Sequence, residues 1–248
     1  MTILNDIVKN TKAKLVEKKA AVSLDEIKLQ LSRLDLPKGK FKASLAGKAE
    51  AVIAEIKKAS PSAGIISENF DPIQKAREYE DFGAAALSIL TEEDFFLGSN
   101  QYLKDVKAIT SLPILRKDFM VDEYQIYEAK LIGADCILLI ASILSDIEIT
   151  DFVALAEVLE LDYLIEVHDA EELQRVEHFN NALIGVNNRN LKTFEVDINN
   201  SVNLKNSFSG DNIFIAESGI KNKDDLSYLK ERGINVFLIG ESLMRGSF

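Results

Sequence analysis

Residues 51–62 read AVIAEIKKASPS. Val52, Ile53, Ala54 and Ile56 form a β-rich apolar run of the kind buried inside a sheet, and Ser60-Pro61-Ser62 ends it. Strand side chains alternate between faces, so Glu55 and Lys57 share one face and Lys58 takes the other. A buried strand that ends in an acid and a base on one face either closes itself with an ion pair or handles a ligand. The recurrence of the same design along the chain favours the ligand.

From Ala51 onward a short apolar run followed by an amphipathic helix repeats eight times. The runs are Ala51–Ile56, Ala84–Leu90, Pro113–Leu115, Cys136–Ile140, Tyr163–Val167, Leu183–Val186, Ile213–Ala216 and Val236–Ile239. Helices are expected over Asp71–Phe82, Tyr124–Leu131, Ile147–Leu159, Ala170–Phe179 and Asp224–Arg232. Gly83, Gly133 and Gly233 sit where a helix closes in the left-handed conformation. Spacings of about 20 to 30 residues between runs are those of right-handed βαβ units, and eight in a row predict a closed parallel (β/α)8 barrel. Periodicity by itself leaves a doubly wound open sheet as the alternative.

Residues 1–45 differ. Ile3, Leu4, Ile7 and Val8, then Leu15, Val16 and Ala20, recur at helical steps among lysines, and Ser23 with Glu26 has capping-box spacing for a second helix through Leu31. Pro37-Lys38-Gly39 breaks the pattern. The chain is therefore expected to be one domain over 1–248, with a helical extension over 1–45 ahead of a barrel over 46–248.

Composition narrows the function. The chain has 248 residues, 47% of them hydrophobic and 28% charged, which suits a globular protein with a sizeable core. Its net charge of −11 argues against nucleic acid as a partner, although a local cationic pocket can still hold an anion. No apolar stretch reaches the roughly 18 residues of a membrane span, and no signal-peptide core opens the chain, so a cytoplasmic location is expected. Cys136 is the only cysteine and lies in an apolar run, where an inert buried thiol is expected. With His168 and His178 it forms no metal-ligand spacing, and no metal is expected.

The carboxyl ends of the runs collect polar residues: Glu55 and Lys57, Thr91-Glu92, Lys117-Asp118, Ser142, Glu166 and His168, Asn187 to Arg189, Glu217-Ser218-Gly219, and Gly240-Glu241-Ser242. Buried charge at one end of successive strands is poor stability design, and a shared site explains it better. Glycine-bearing ends after the last two strands are where this architecture binds phosphate through main-chain N–H groups. Lys57 and Lys117 suit an anion or a proton donor, Glu166 a base, and Asn187 with Arg189 a hydroxyl and an anion. His168 reads as a cap for the helix starting near Asp169. Phe95, Phe96, Phe119, Leu138 and Leu191 accompany these charges, and Phe96 and Phe119 are placed to wall a flat aromatic ligand.

Taken in order, VIAEIKKASPS, SILTEEDFFLGS, PILRKDF, DEYQI, LIEVH, IGVNNRNLKTFEVD, IAESGI and LIGESLMR resemble the indole-3-glycerol phosphate synthase family. The resemblance implies a (β/α)8 fold with extra N-terminal helices over the mouth of the barrel. It also implies ring closure of 1-(2-carboxyphenylamino)-1-deoxyribulose 5-phosphate with loss of CO2 and water, in tryptophan biosynthesis. By similarity Lys117 is the general acid and Glu166 the base of dehydration, with Glu55 orienting a lysine and Lys57 contacting anionic groups. Ser60, Asn187 and Arg189 would help fix the substrate, Phe96, Phe119, Leu138 and Leu191 its aromatic ring, and Glu217, Ser218, Gly219, Gly240 and Glu241 the region of its phosphate. No cofactor is implied, because an iminium intermediate absorbs the electrons that CO2 leaves behind. The implied state is a monomer or a transient associate of other enzymes of the pathway.

Three departures stand out. Ala63 replaces a lysine of many relatives, Glu241 a serine, its side chain expected to point away, and the chain stops at Ser247-Phe248, so the last helix is expected to be short or missing and closure of the barrel there is the weakest part of the pattern. The competing readings are a phosphoribosylanthranilate isomerase, which needs a Cys/Asp pair, and a phosphate-binding barrel without turnover.

Overall fold

The computed structural model describes residues 3–248, so Met1 and Thr2 of the extension lie outside the described residues. Eight parallel strands close into a barrel: β1 Ala51–Ile56, β2 Ala86–Leu90, β3 Ile114–Lys117, β4 Cys136–Ile140, β5 Asp162–Val167, β6 Leu183–Asn187, β7 Phe214–Glu217 and β8 Val236–Ile239. β1 pairs with β8 from Ala51 opposite Val236 to Ala54 opposite Ile239, so closure is complete despite the short ending. The last helix, Glu241–Met244, is short as expected, and the Phe248 ring packs edge-on against Phe82, 6.2 Å between centroids.

The alternation of each strand sorts its residues into two cores. Val52, Ala54, Ile56, Leu87, Ile89, Ile137, Leu139, Ile165 and Ile184 face outward and pack under the helices. Ala51, Ile53, Ala86, Leu115, Cys136, Leu138, Leu164, Leu183, Ile215 and Leu238 face inward and fill the barrel, as its geometry requires. The next inward positions toward the carboxyl ends are Glu55, Lys117, Glu166 and Glu217. Charge therefore begins where apolar layering stops.

The barrel helices run close to expectation, including Pro72–Phe82, Glu123–Leu131, Asp146–Val158, Ala170–Val176 and Lys223–Lys230. Gly83 closes the first of these at φ 87°, a conformation that Ala or Leu would strain to adopt. Ala170–Val176 is a turn shorter than its apolar pattern suggested, since Phe179 lies beyond it and only packs against the core.

The N-terminal segment forms three helices, α1 Ile3–Ala21, α2 Leu24–Leu31 and α3 Phe41–Leu45. Ser23 caps α2 with a full capping box to Glu26, as read from the spacing. In α1 the buried face is Ile7, Thr11 and Leu15, whereas Val16 is 70% exposed. Of the expected stripe Leu15, Val16 and Ala20, only Leu15 is buried, packed with Ile27 of α2 and Tyr124, and Ala20 is exposed like Val16. The helix α3 was not foreseen: its Phe41 and Leu45 plug the amino-terminal end of the barrel against Ala51, Cys136 and Val236.

Arg116, on the outward face of β3, is 1% exposed. Its guanidinium donates to the Gln125 carbonyl at 2.9 Å and to Glu128 at 2.6 Å, and it lies 3.3 Å from Asp118. Five fixed donors can serve that many acceptors, which a lysine cannot. Arg116→Met should lower stability by about 3–5 kcal/mol, because two carboxylates stay buried without their cation; urea denaturation measures it.

Candidate active site

One cavity of about 630 Å³ opens at the carboxyl ends of the strands. All the residues expected in a site line it: Glu55, Lys57, Ser60, Phe96, Lys117, Phe119, Leu138, Glu166, Asn187, Arg189, Leu191, Glu217, Ser218, Gly219, Gly240 and Glu241. Phe95 and His168 do not.

At its floor the Lys117 Nζ donates to Glu166 Oε2 at 2.8 Å and to Glu217 Oε2 at 2.9 Å. Strand register makes this convergence possible, with Glu166 opposite Gly185 and Asn187 opposite Glu217. Gly185 is required because a side chain there would collide with the Glu217 carboxylate and with Leu164. Glu217, expected near phosphate, thus meets Lys117 across the barrel. Asn187 Nδ2 donates to Glu166 Oε1 at 3.1 Å. On β1, Lys57 Nζ pairs with Glu55 Oε1, which fulfils the same-face reading of that strand.

The walls differ in character. On one side the Phe96 and Phe119 rings lie 5.9 Å apart with Leu138 and Leu191 nearby. The loop bearing Phe96 is tied down by Glu92, whose carboxylate accepts the N–H groups of Asp94, Phe95 and Phe96 at 3.1, 2.7 and 3.0 Å. On the other side Ser218 and Gly219 turn through consecutive left-handed conformations, φ 67° and 81°, and Gly219 lies so close to Val196 that no side chain fits. Beside them Gly240 leads into the final helix. Glu241 pairs with Arg245 at 3.1 Å, so its carboxylate is drawn toward the helix. Arg189 Nη1 donates to the Phe194 carbonyl of its own loop at 3.3 Å, and Ser60 Oγ accepts the Ala63 N–H at 3.2 Å.

The resemblance puts the N-terminal helices over the mouth of the barrel, and Ile3, Leu4 and Ile7 of α1 line the cavity, residues the sequence reading did not name. Farther along α1, Lys14 clasps Glu93 at 2.9 Å and Asp94 at 2.7 Å. The charge pattern of the helix shows lysines but not which loop they meet. Among the described residues, no three His, Cys, Asp or Glu side chains converge to hold a metal ion.

The family model for indole-3-glycerol phosphate synthase matches residues 4–247. The chain belongs to that family. It is 48% identical over 243 residues to the indole-3-glycerol phosphate synthase of Clostridium acetobutylicum, covering 98% of this chain and 92% of that one. It is 49% identical over 245 residues to that of Ruminiclostridium cellulolyticum, covering 98% and 94%. Among solved structures, the tryptophan synthase complex of Pyrococcus furiosus superposes with a TM-score of 0.58 at 14% identity, over 79% of this chain and 89% of that one. The N-acetylmannosamine-6-phosphate 2-epimerase of Clostridium perfringens gives 0.58 at 15%, over 79% and 88%. At such identities these two structures share the fold.

In this member of the family the floor is a set of mutually dependent charges. Burial disfavours the Lys117 ammonium, but Glu166, Glu217 and Glu55 outweigh it and hold its pKa above the ordinary lysine value. Burial likewise raises Glu166, yet Lys117 and His168 pull its carboxyl well below the usual range. Glu217 goes the other way: burial, with Glu166 and Glu55 beside it, pushes it up to about 7 in spite of Lys117. Its Oε1 is buried without a hydrogen-bond partner. Folded Glu217 therefore holds a proton that the unfolded chain releases near 4.5, so its contribution is full below 4.5 and is lost as pH rises to about 7. Glu217→Gln, which cannot ionise, should gain stability relative to the parent chain across that window, read as the difference of their melting temperatures against pH.

Proposed function

We propose that the chain is an indole-3-glycerol phosphate synthase, a decarboxylating carbon–carbon lyase of tryptophan biosynthesis, acting on 1-(2-carboxyphenylamino)-1-deoxyribulose 5-phosphate. The observation that carries the reading is the Lys117 ammonium held between Glu166 and Glu217, with an aromatic wall to one side and a glycine turn to the other. A substrate with a flat ring at one end, a phosphate at the other and a ketone between them matches that sequence of surfaces.

The phosphate sits against Ser218, Gly219, Gly240 and the Glu241 main chain, where glycine lets the backbone approach an anion. Phe96, Phe119, Leu138 and Leu191 hold the anthranilate ring. Asn187, Arg189 and Ser60 position the chain between, and Lys57, steered by Glu55, meets the substrate carboxylate. Bringing the ring carbon onto the ketone is a problem of orientation, which a rigid barrel rim solves in advance.

Lys117 then gives a proton to the ketone oxygen as the carbon–carbon bond forms. To reach that oxygen its ammonium must release one of its two carboxylates. Glu217 is the one to yield, because near neutral pH it is partly protonated and holds the cation less strongly than ionised Glu166 does. Loss of CO2 sends its bonding electrons into the iminium formed by ring closure. Lys117, recharged from solvent, gives a second proton to the new hydroxyl, which leaves as water while Glu166 takes the carbon-bound proton and the indole becomes aromatic.

Cys136 weighs against the isomerase reading. It is fully buried in the barrel interior outside the cavity lining, and burial raises its thiol pKa well above the ordinary value. The proposal takes the chain as one domain, 1–248, with residues 1–45 as the extension and 46–248 as the barrel. It acts in the cytoplasm on a phosphorylated small molecule, without nucleic acid or membrane, as a monomer or in transient association with other enzymes of the pathway. No described helix is long and apolar enough to cross a membrane.

Indole fluorescence tests the reading. The parent chain should convert the ribulose phosphate to a fluorescent indole, and Lys117→Ala should lose about 10²–10⁴-fold in turnover while still binding the anionic product. A parent chain that binds the substrate and forms no indole would leave the phosphate-binding barrel as the answer.

A further inference from the structure

Glu166 has a neighbour behind it that the chemistry above does not use. His168 follows two residues later, its ring placed between two carboxylates. Its Nε2 lies 3.3 Å from Glu166 Oε1 and its Nδ1 lies 3.0 Å from Glu172 Oε2. Glu172 also accepts the His168 main-chain N–H at 2.8 Å, which locks both ends of the residue to the first turn of the helix Ala170–Val176. From the neighbouring helix Asn199–Ser207, Asn200 donates to the His168 carbonyl at 3.0 Å.

The capping role expected for His168 belongs to Asp169, whose carboxylate accepts the Glu172 N–H. The imidazole is free of that task and lies partly buried behind Glu166. Its Nε2 has no aligned hydrogen bond, so it meets Glu166 through proximity of charge.

We propose that His168, held by Glu172, is a positioning residue for Glu166: its imidazolium fixes the Oε1 side of the carboxylate so that Oε2 faces the reacting carbon. The proposal rests on the synthase reading for its kinetic arm. Three groups share the work of holding Glu166: Lys117 on Oε2, and Asn187 and His168 on Oε1. Lys117 and Asn187 line the cavity, whereas His168 and its anchor Glu172 do not. The charged groups in contact with it are Glu166 from its own strand and Glu172 from the following helix, which together outweigh burial and raise its pKa to about 10. It is therefore cationic throughout the neutral range, and Glu166 beside it stays ionised and ready to accept a proton.

His168→Gln keeps the shape and one donor and removes the charge. Its kcat should fall by about tenfold or more with KM little changed, and the acidic limb of its pH–rate profile should move to higher pH, because Glu166 loses a neighbouring cation. Glu172→Gln, which leaves the ring but loosens its anchor, should move the same limb in the same direction by less. Folded His168→Gln with the parent's kcat and pH profile would overturn the proposal. A second arm is independent of turnover. The chain has only two histidines, so His168 can be assigned by comparing imidazole NMR signals of the parent and of His168→Gln. In the parent chain both ring nitrogens should be protonated at neutral pH, and Glu166→Gln should lower the His168 pKa by more than about one unit, since coupling between two sites is reciprocal. A His168 that titrates at an ordinary imidazole value and ignores Glu166→Gln also refutes it. Absence of indole from the parent chain would end the synthase reading alone, with the NMR arm still deciding the contact.

Discussion

A single ammonium group between two buried carboxylates sets the terms for the rest of this protein. Lys117 cannot be buried at the barrel floor without Glu166 and Glu217, and those two cannot sit on neighbouring inward positions without Lys117 between them. Desolvating three charges costs several kcal/mol for each ion, so the cluster is a poor way to hold a barrel together and a good way to hold charge in readiness. The stability must come from elsewhere. It comes from the apolar layers beneath the cluster, from the outward core under the helices, and from α3, whose Phe41 and Leu45 seal the opposite end.

The two ends of the barrel therefore do different jobs by the same alternation. Toward the amino-terminal end the inward positions are Ala51, Cys136, Leu183 and Val236, closely packed and dry. Toward the carboxyl end they become acids, a lysine and an asparagine. A glycine at 185 marks the transition, since the Glu217 carboxylate occupies the space a side chain would need. Around the rim, α1 and the loop bearing Phe96 are joined by Lys14 with Glu93 and Asp94, so the apolar wall of the cavity is assembled from segments far apart in the chain.

Much of this was legible beforehand. Cys136–Ile140 and Val236–Ile239 have the predicted limits, because each is an unbroken apolar run with polar residues or turns at both ends. The apolar run Pro113–Leu115 leads into Arg116 and Lys117, and strand β3, Ile114–Lys117, includes both. What the run does not show is that Arg116 has its own acids outside the barrel and Lys117 has others inside. Val16 and His168 were misplaced for a related reason: a helical stripe and a helix start can each be read from spacing, yet which neighbour arrives to cover or to bind them cannot.

The one-dimensional pattern was enough to establish the repeating strand–helix unit, the face shared by Glu55 and Lys57, the gathering of acids, lysines and glycines at one end of the strands, and the family. These follow from local rules of periodicity and capping, which act over a few residues. Only the closed barrel decided that Glu217 meets Lys117, that Glu241 turns to Arg245, that Ile3, Leu4 and Ile7 are the residues of α1 that line the cavity, and that His168 stands behind Glu166 rather than capping a helix. Those partners lie on different elements, and strand register and helix packing determine their distances, so no local rule contains them.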